Sequence, residues 1–146
     1  MRVVSLLLLG MLLVPQGGAT QDADFKVVVS PENEVTSLAR RDVARMFLKR
    51  TTNWPDGSAI APVDQSSRSA VRVLFTGNIL KVEGLEKMSA VENYWQQQIF
   101  SGRGSPPPIK ASDKEVVAFV AANPGAIGYV SGTADVSAVK TVALED

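Results

Sequence analysis

Four consecutive positions, Ser66, Ser67, Arg68 and Ser69, carry the densest potential for ligand chemistry in the chain. They precede an apolar run with helical spacing (Val71, Leu74 and Phe75), so they fall where a helix begins. Exposed backbone amides and the helix dipole favour negative charge at such a point. Three hydroxyls and a guanidinium would add donors, and Gln65 stands just before them. The chemistry would be non-covalent capture of a small anion. The same residues also make an ordinary cap, Ser66 or Ser67 being the expected N-cap, with a solvated arginine beside it. Asp64 could itself occupy the positive end of the helix.

A second candidate is Gly102-Arg103-Gly104-Ser105. Its glycines allow close backbone approach, successive amides can form an anion nest, and Arg103 could pair with a carboxylate or phosphate. The plainer alternative is a loop stiffened by Pro106, Pro107 and Pro108. Trp54 and Trp95 could stack on a ligand, but Trp95 lies beside a helical apolar stripe and reads as core. Trp54 reads as a pin for its own loop. Tyr129 reads as a ring packed in a sheet, with its hydroxyl bonded near the surface. Gln96, Gln97 and Gln98 read as a solvated face with one inward member. Arg40, Arg41, Arg45, Lys49 and Arg50 form a basic cluster that is either a solvated helix face or a docking surface for an acidic partner.

Enzyme chemistry has little to stand on. The chain has no Cys and no His, which removes Cys/His zinc sites and Ser–His or Cys–His nucleophile pairs. There is no Gly-x-Ser-x-Gly elbow and no Walker-type phosphate loop. Asp42, Asp56, Asp64 and Asp113 are scattered, and no cofactor or metal is implied.

The elements that must position these residues follow from periodicity. Phe25–Val29 reads as a buried strand ending at Ser30-Pro31. Leu38–Lys49 reads as a helix with Val43, Met46 and Phe47 inward, capped by Thr36 or Ser37. Thr51–Ser58 is a loop with a Pro55-Asp56-Gly57 turn, and Ala59–Val63 reads as a second strand. Ser89 and Glu92 match a capping box that opens a helix running to about Phe100. Ser112 and Glu115 match another, opening a helix that runs to Ala122. Strands follow at Ala126–Val130 and, near the sheet edge, at Val139–Leu144. Strands separated by helices point to a mostly parallel sheet with helices packed on it.

The chain is 146 residues long, with 15 Lys plus Arg against 15 Asp plus Glu. That charge balance gives no basic excess of the kind nucleic-acid binding uses. Residues 1–19 have the order of an export signal: Met1-Arg2, an apolar run Val3–Val14, then Pro15 and the small residues Gly17 and Ala19. The run is too short for a bilayer-spanning helix of about 20 residues. Cleavage after Ala19 would leave a single domain, residues 20–146, in the periplasm or outside the cell, with no stable membrane insertion.

Several segments together resemble a known family. They are VVVSPENEV, the helix and loop from Ser37 to Gln65 with Met46-Phe47-Leu48 and Asn53-Trp54-Pro55-Asp56-Gly57, YWQQQIFSGRG, and Asn123-Pro124-Gly125-Ala126-Ile127-Gly128-Tyr129-Val130. In order and spacing these are similar to the phosphate-type substrate-binding proteins of bacterial ABC importers, and more closely to short, one-lobe members of the periplasmic-binding-protein type 2 superfamily. The resemblance implies an α/β fold: a single-lobe, three-layer sandwich with a mostly parallel mixed sheet. It implies binding of a small oxyanion such as phosphate; the residues of this chain read above as able to do so are Gln65, Ser66, Ser67, Arg68 and Ser69 at the helix start and Arg103 in the glycine turn, for which the resemblance favours a structural role at least as much. It also implies a partner in an ABC permease or another periplasmic protein, and no nucleic acid. Two family features have no counterpart. The early phosphate-gripping turn is missing, and Asp64 stands where the family has an arginine, followed by Arg68-Ser69-Ala70 in place of Ser-Gly-Thr. A carboxylate there repels a dianion. The competing expectation is therefore a ligand-free interaction module that keeps the lobe, with a hydrolase a distant third.

Overall fold

The computed structural model describes residues 25–146. The proposed export signal lies outside the described residues. Strand β1 (Phe25–Val29) forms where the sequence reading puts it, and it sits at the centre of a five-stranded mixed sheet ordered β2-β7-β1-β6-β3. It runs antiparallel to β6 (Ala126–Ser131) and to β7 (Lys140–Glu145). The parallel pairings lie at the margins, where β2 (Ser37–Ala39) joins β7 and β3 (Ala61–Pro62) joins β6. The centre is thus antiparallel, and the parallel component is smaller than the alternation of strands and helices implies. β7 lies near the edge, as expected, one strand in, with β2 outside it.

The period-2 alternation of β1 divides the core into two layers. Phe25, Val27 and Val29 join Val43, Phe47, Phe75, Trp95, Ile127 and Tyr129 on one face. That face is covered by α1 (Arg40–Phe47), α2 (Ala70–Asn78) and α3 (Met88–Phe100). Val28 points the other way, with Val63, Val116, Val120 and Val130, under α4 (Asp113–Ala122). Helices on both faces make the three-layer sandwich. Gly128 marks where α4 presses on the sheet: a Cβ there would lie 2.7 Å from Val116 Cγ1 and 2.9 Å from Val63 Cγ1.

Local signals around the helices fared unevenly. Leu38 has helical spacing, yet Ser37–Ala39 is drawn into the sheet by β7, so α1 starts at Arg40 with Ala39 as its uncapped N-cap. Ser89 does not cap α3, which begins one residue before it at Met88, with Lys87 as N-cap. Ser112 does cap α4, Glu115 N–H donating to Ser112 Oγ at 3.2 Å, but the return bond of the box shifts by one residue, Glu115 Oε2 accepting from Ala111 N–H at 2.8 Å instead of from Ser112 N–H. Trp54 pins its loop, its indole N–H donating to the Gly125 carbonyl at 2.9 Å.

Candidate functional site

The chain leaves the main sheet at Val63, whose N–H bonds to the Ile127 carbonyl, and forms a separate parallel ladder. In that ladder β4 (Asp64–Gln65) pairs with β5 (Ile109–Lys110). The switch turns the side chains of Asp64 and Gln65 into the interior, against the start of α2, the end of β6 and the start of α4. Both residues are buried.

Asp64 is the hub. Its Oδ2 pairs with Arg72 Nη1 at 2.6 Å, and its Oδ1 accepts from Gln65 N–H at 2.9 Å and from the Tyr129 hydroxyl. Arg72 also donates to the Gln65 carbonyl at 3.0 Å. It is itself 6% exposed, and its Nε has no protein partner. Arg72 lies one helical turn from Phe75, and the Phe75 ring stacks on Tyr129 at 3.9 Å between centroids. The aromatic stack and the ion pair therefore fix one another. Burial raises the Asp64 carboxyl above its ordinary range, opposed by the charge of Arg72 and the Tyr129 hydrogen bond. Burial, then the adjacent carboxylate, raises the Tyr129 phenol far above its usual value. That hydroxyl is a fixed donor at physiological pH.

Gln65 extends the network. Its Nε2 donates to Asp113 Oδ1 at 2.8 Å and to the Tyr129 carbonyl at 3.0 Å, and its Oε1 accepts from Ser69 Oγ at 3.3 Å. Asp113 also accepts from Ser131 N–H at 3.1 Å. Burial pushes the Asp113 carboxyl up, but the donors from Gln65 and Ser131 outweigh it and leave it below the ordinary value.

The expected anion residues divide on this geometry. Gln65 and Ser69 are brought together, but both are committed to internal bonds. Ser69, not Ser66 or Ser67, is the N-cap of α2, and its hydroxyl is diverted to Gln65 instead of the helix amides. Ser66 Oγ accepts from Arg68 N–H at 3.3 Å in the preceding turn. Ser67 and Arg68 are exposed. The nest around Arg103 does not form. Gly102 adopts φ 68°, and the amides of Gly102 and Arg103 bond back to the Ile99 and Gln98 carbonyls, so the turn is the C-terminal cap of α3. The Tyr129 hydroxyl is inside, not near the surface, because Asp64 draws it there. The sequence reading does not name Arg72, and it places Asp113 only among scattered carboxylates with no pairing. The signal for Arg72 was its place one turn before Phe75 on the apolar side of α2.

Chemically, a guanidinium, a phenol and a backbone amide converge on one carboxylate. This is the donor set of an oxyanion receptor, and the protein's own side chain fills it. Among the described residues no group of three or more acidic, Cys or His side chains could hold a metal. None of the described helices is long and apolar enough to cross a membrane.

A family model described as "PBP superfamily domain" matches residues 23–144. The chain belongs to this family. Among solved structures, this PBP superfamily domain is similar to an ABC-type phosphate transport receptor from Vibrio cholerae, at 20% identity and TM-score 0.58 over 85% of this chain and 47% of that one. It is similar to a protein from Clostridium perfringens solved with bound phosphate, at 17% identity and TM-score 0.61 over 84% and 45%. It is also similar to PstS from Borrelia burgdorferi, at 15% identity and TM-score 0.62 over 85% and 48%. At these identities the likeness establishes the periplasmic-binding-protein-like fold. The chain spans less than half the length of each of these proteins. No curated protein matches it.

Proposed function

We propose that this domain is an exported, non-enzymatic docking module built on the solute-binding lobe, working in the periplasm or outside the cell after removal of residues 1–19. One observation carries the reading. The buried donors that converge beside α2 are occupied by Asp64, at 2.6 Å from Arg72. A phosphate would have to displace a tethered carboxylate and then sit beside it, which like charge disfavours. Isothermal titration of residues 20–146 with phosphate and sulfate tests this. The expected result is no binding heat at millimolar ligand, and saturable binding below that would overturn the reading.

A second reading, in which the domain carries a small oxyanion to an ABC permease, takes its support from the phosphate-related proteins it resembles. It has one local observation behind it. The first amides of α2 have no capping side chain and no acidic residue in the first turn, and exposed Arg68 lies just before them. On this reading the titration gives heat that Arg68→Ala abolishes.

A further inference from the structure

A groove of about 930 Å³ opens on another part of the surface, away from the Asp64 network. It lies between the loop after β1, the start of α1, the Trp54 loop and Pro124-Gly125. Val35, Leu38, Met46 and Trp54 give it an apolar lining, and Glu32, Glu34, Asp42 and Asp56 also line it. All four carboxylate residues are exposed, and among the described residues none is in an ion pair.

The charge asymmetry has a structural cause. Arg41 and Arg45 neighbour Asp42 on α1, but both turn to Glu83, at 3.7 and 3.8 Å, and Arg50 joins them at 3.0 Å. Glu83 thus gathers the arginines of this region onto the other side of α1 and leaves Asp42 unneutralised. Among the described residues no Lys or Arg lines the groove. Lys140 comes to its margin, where its ammonium is tied to the Asn33 carbonyl at 2.8 Å.

We propose that this groove docks a cationic segment of a partner protein, lysine- or arginine-bearing with apolar side chains between the charges. The apolar lining, with half-buried Val35 and Leu38 as its accessible part, would take the aliphatic groups, and the carboxylates would meet the cations. Carboxylates from three of its four walls reject an acidic segment as firmly as they attract a basic one. The inference rests on the docking-module reading and names the surface that module uses.

The test uses a fluorescein-labelled peptide of alternating lysine and leucine, about ten residues long, enough to fill a groove of this kind. Its glutamate–leucine counterpart is the control, and anisotropy with residues 20–146 is the readout. The expected result is saturable binding of the Lys/Leu peptide that weakens with added salt, with no binding of the control. Combining Glu32→Gln, Glu34→Gln and Asp42→Asn, all at exposed positions, should weaken binding about tenfold. Arg41→Ala on the far side of α1 should not weaken it. In nitrogen-15 NMR the Trp54 indole resonance should move on titration, because Trp54 lines the groove, while that of Trp95, which does not, stays put. Equal binding to the triple variant, equal binding of the two peptides, or an unmoved Trp54 resonance would each overturn the groove proposal. The two readings fail separately. No peptide binding with a silent phosphate titration removes the groove and leaves the docking module, whereas saturable phosphate binding removes the module reading whatever the peptide does.

Discussion

Asp64→Asn is the sharpest perturbation the network offers. The change keeps the shape of the side chain and removes its charge. It leaves Arg72, 6% exposed and already lacking a partner at Nε, as an uncompensated buried cation. Breaking one side of a buried pair costs about 3–5 kcal/mol. A domain of this size has about 5–15 kcal/mol in total. With a urea m-value of about 2 kcal/mol/M, a loss of about 4 kcal/mol moves the unfolding midpoint down by about 2 M. Circular dichroism in urea measures this directly.

The companion variants separate charge from shape. In Asp64→Leu with Arg72→Met both charges go, and most of the lost stability should return. In Arg72→Met alone the carboxylate is stranded, and its already raised pKa rises further, because the opposing charge is gone. The folded state then holds the proton more tightly than the unfolded state does. The penalty in Arg72→Met is therefore full at neutral pH and shrinks as pH falls through the raised value. A midpoint shift below about 0.5 M for Asp64→Asn, worth about 1 kcal/mol, would refute the claim that Arg72 depends on this carboxylate.

Three further outcomes are expected. Ser112→Ala should cost about 1 kcal/mol through loss of the α4 cap, while Ser89→Ala, inside α3, should cost less than about 0.5 kcal/mol; equal costs in urea unfolding would contradict the observed helix starts. Gly128→Ala should lose about 1–3 kcal/mol, because the new methyl meets Val116 and Val63 at less than contact distance; a neutral result would mean that α4 can lift off the sheet freely. Asp113→Asn should be less stable than wild type at neutral pH. Because the folded carboxyl lies below its ordinary 3.8, that difference should be present above this value and fade as pH falls through the depressed one; a pH-independent gap would assign the effect to shape alone.

The elements readable in the sequence were those whose signal is local and whose partners agree with it. FKVVV stands out as a buried strand because it is almost wholly apolar and β-branched, and Phe25–Val29 is what forms. AIGYV gains Ser131 at its end. Ser112 caps because nothing competes for its hydroxyl. The failures are non-local. Ser37–Ala39 has a helical pattern, but its strand state is dictated by Ala143–Glu145, more than a hundred positions away. β4 and β5 have two residues each, too short for any periodicity, and exist through pairing of Asp64 with Ile109 and Gln65 with Lys110. Ser69 looks like one of several equivalent serines until Gln65 turns inward and takes its hydroxyl. The GRG turn was legible under a different rule: a glycine just past a helix end is first a left-handed cap and only then a nest. At the site, the sequence exposed the anomaly at Asp64 but not its partner, because pairing it with Arg72 needs the chain reversal between β4 and α2.

That pairing bears on what the lobe can do. A receptor for a free anion must hold its donors apart from every internal acceptor, or the internal one wins. Asp64 and Arg72 are separated by a short turn, and tethering over so few residues gives the carboxylate an effective concentration of at least the millimolar order before any geometric advantage. Phosphate in solution competes on unequal terms, and the displaced carboxylate would find no other buried donor, since the Gln65 amide and the Tyr129 hydroxyl belong to the same cluster. The carboxylate of Asp64 therefore balances the buried Arg72 charge from within the chain, so that this site needs no external anion for charge balance. On the docking-module proposal the lobe is stable without cargo, and recognition falls to surfaces where charge is still unpaired, such as the groove beside Asp42.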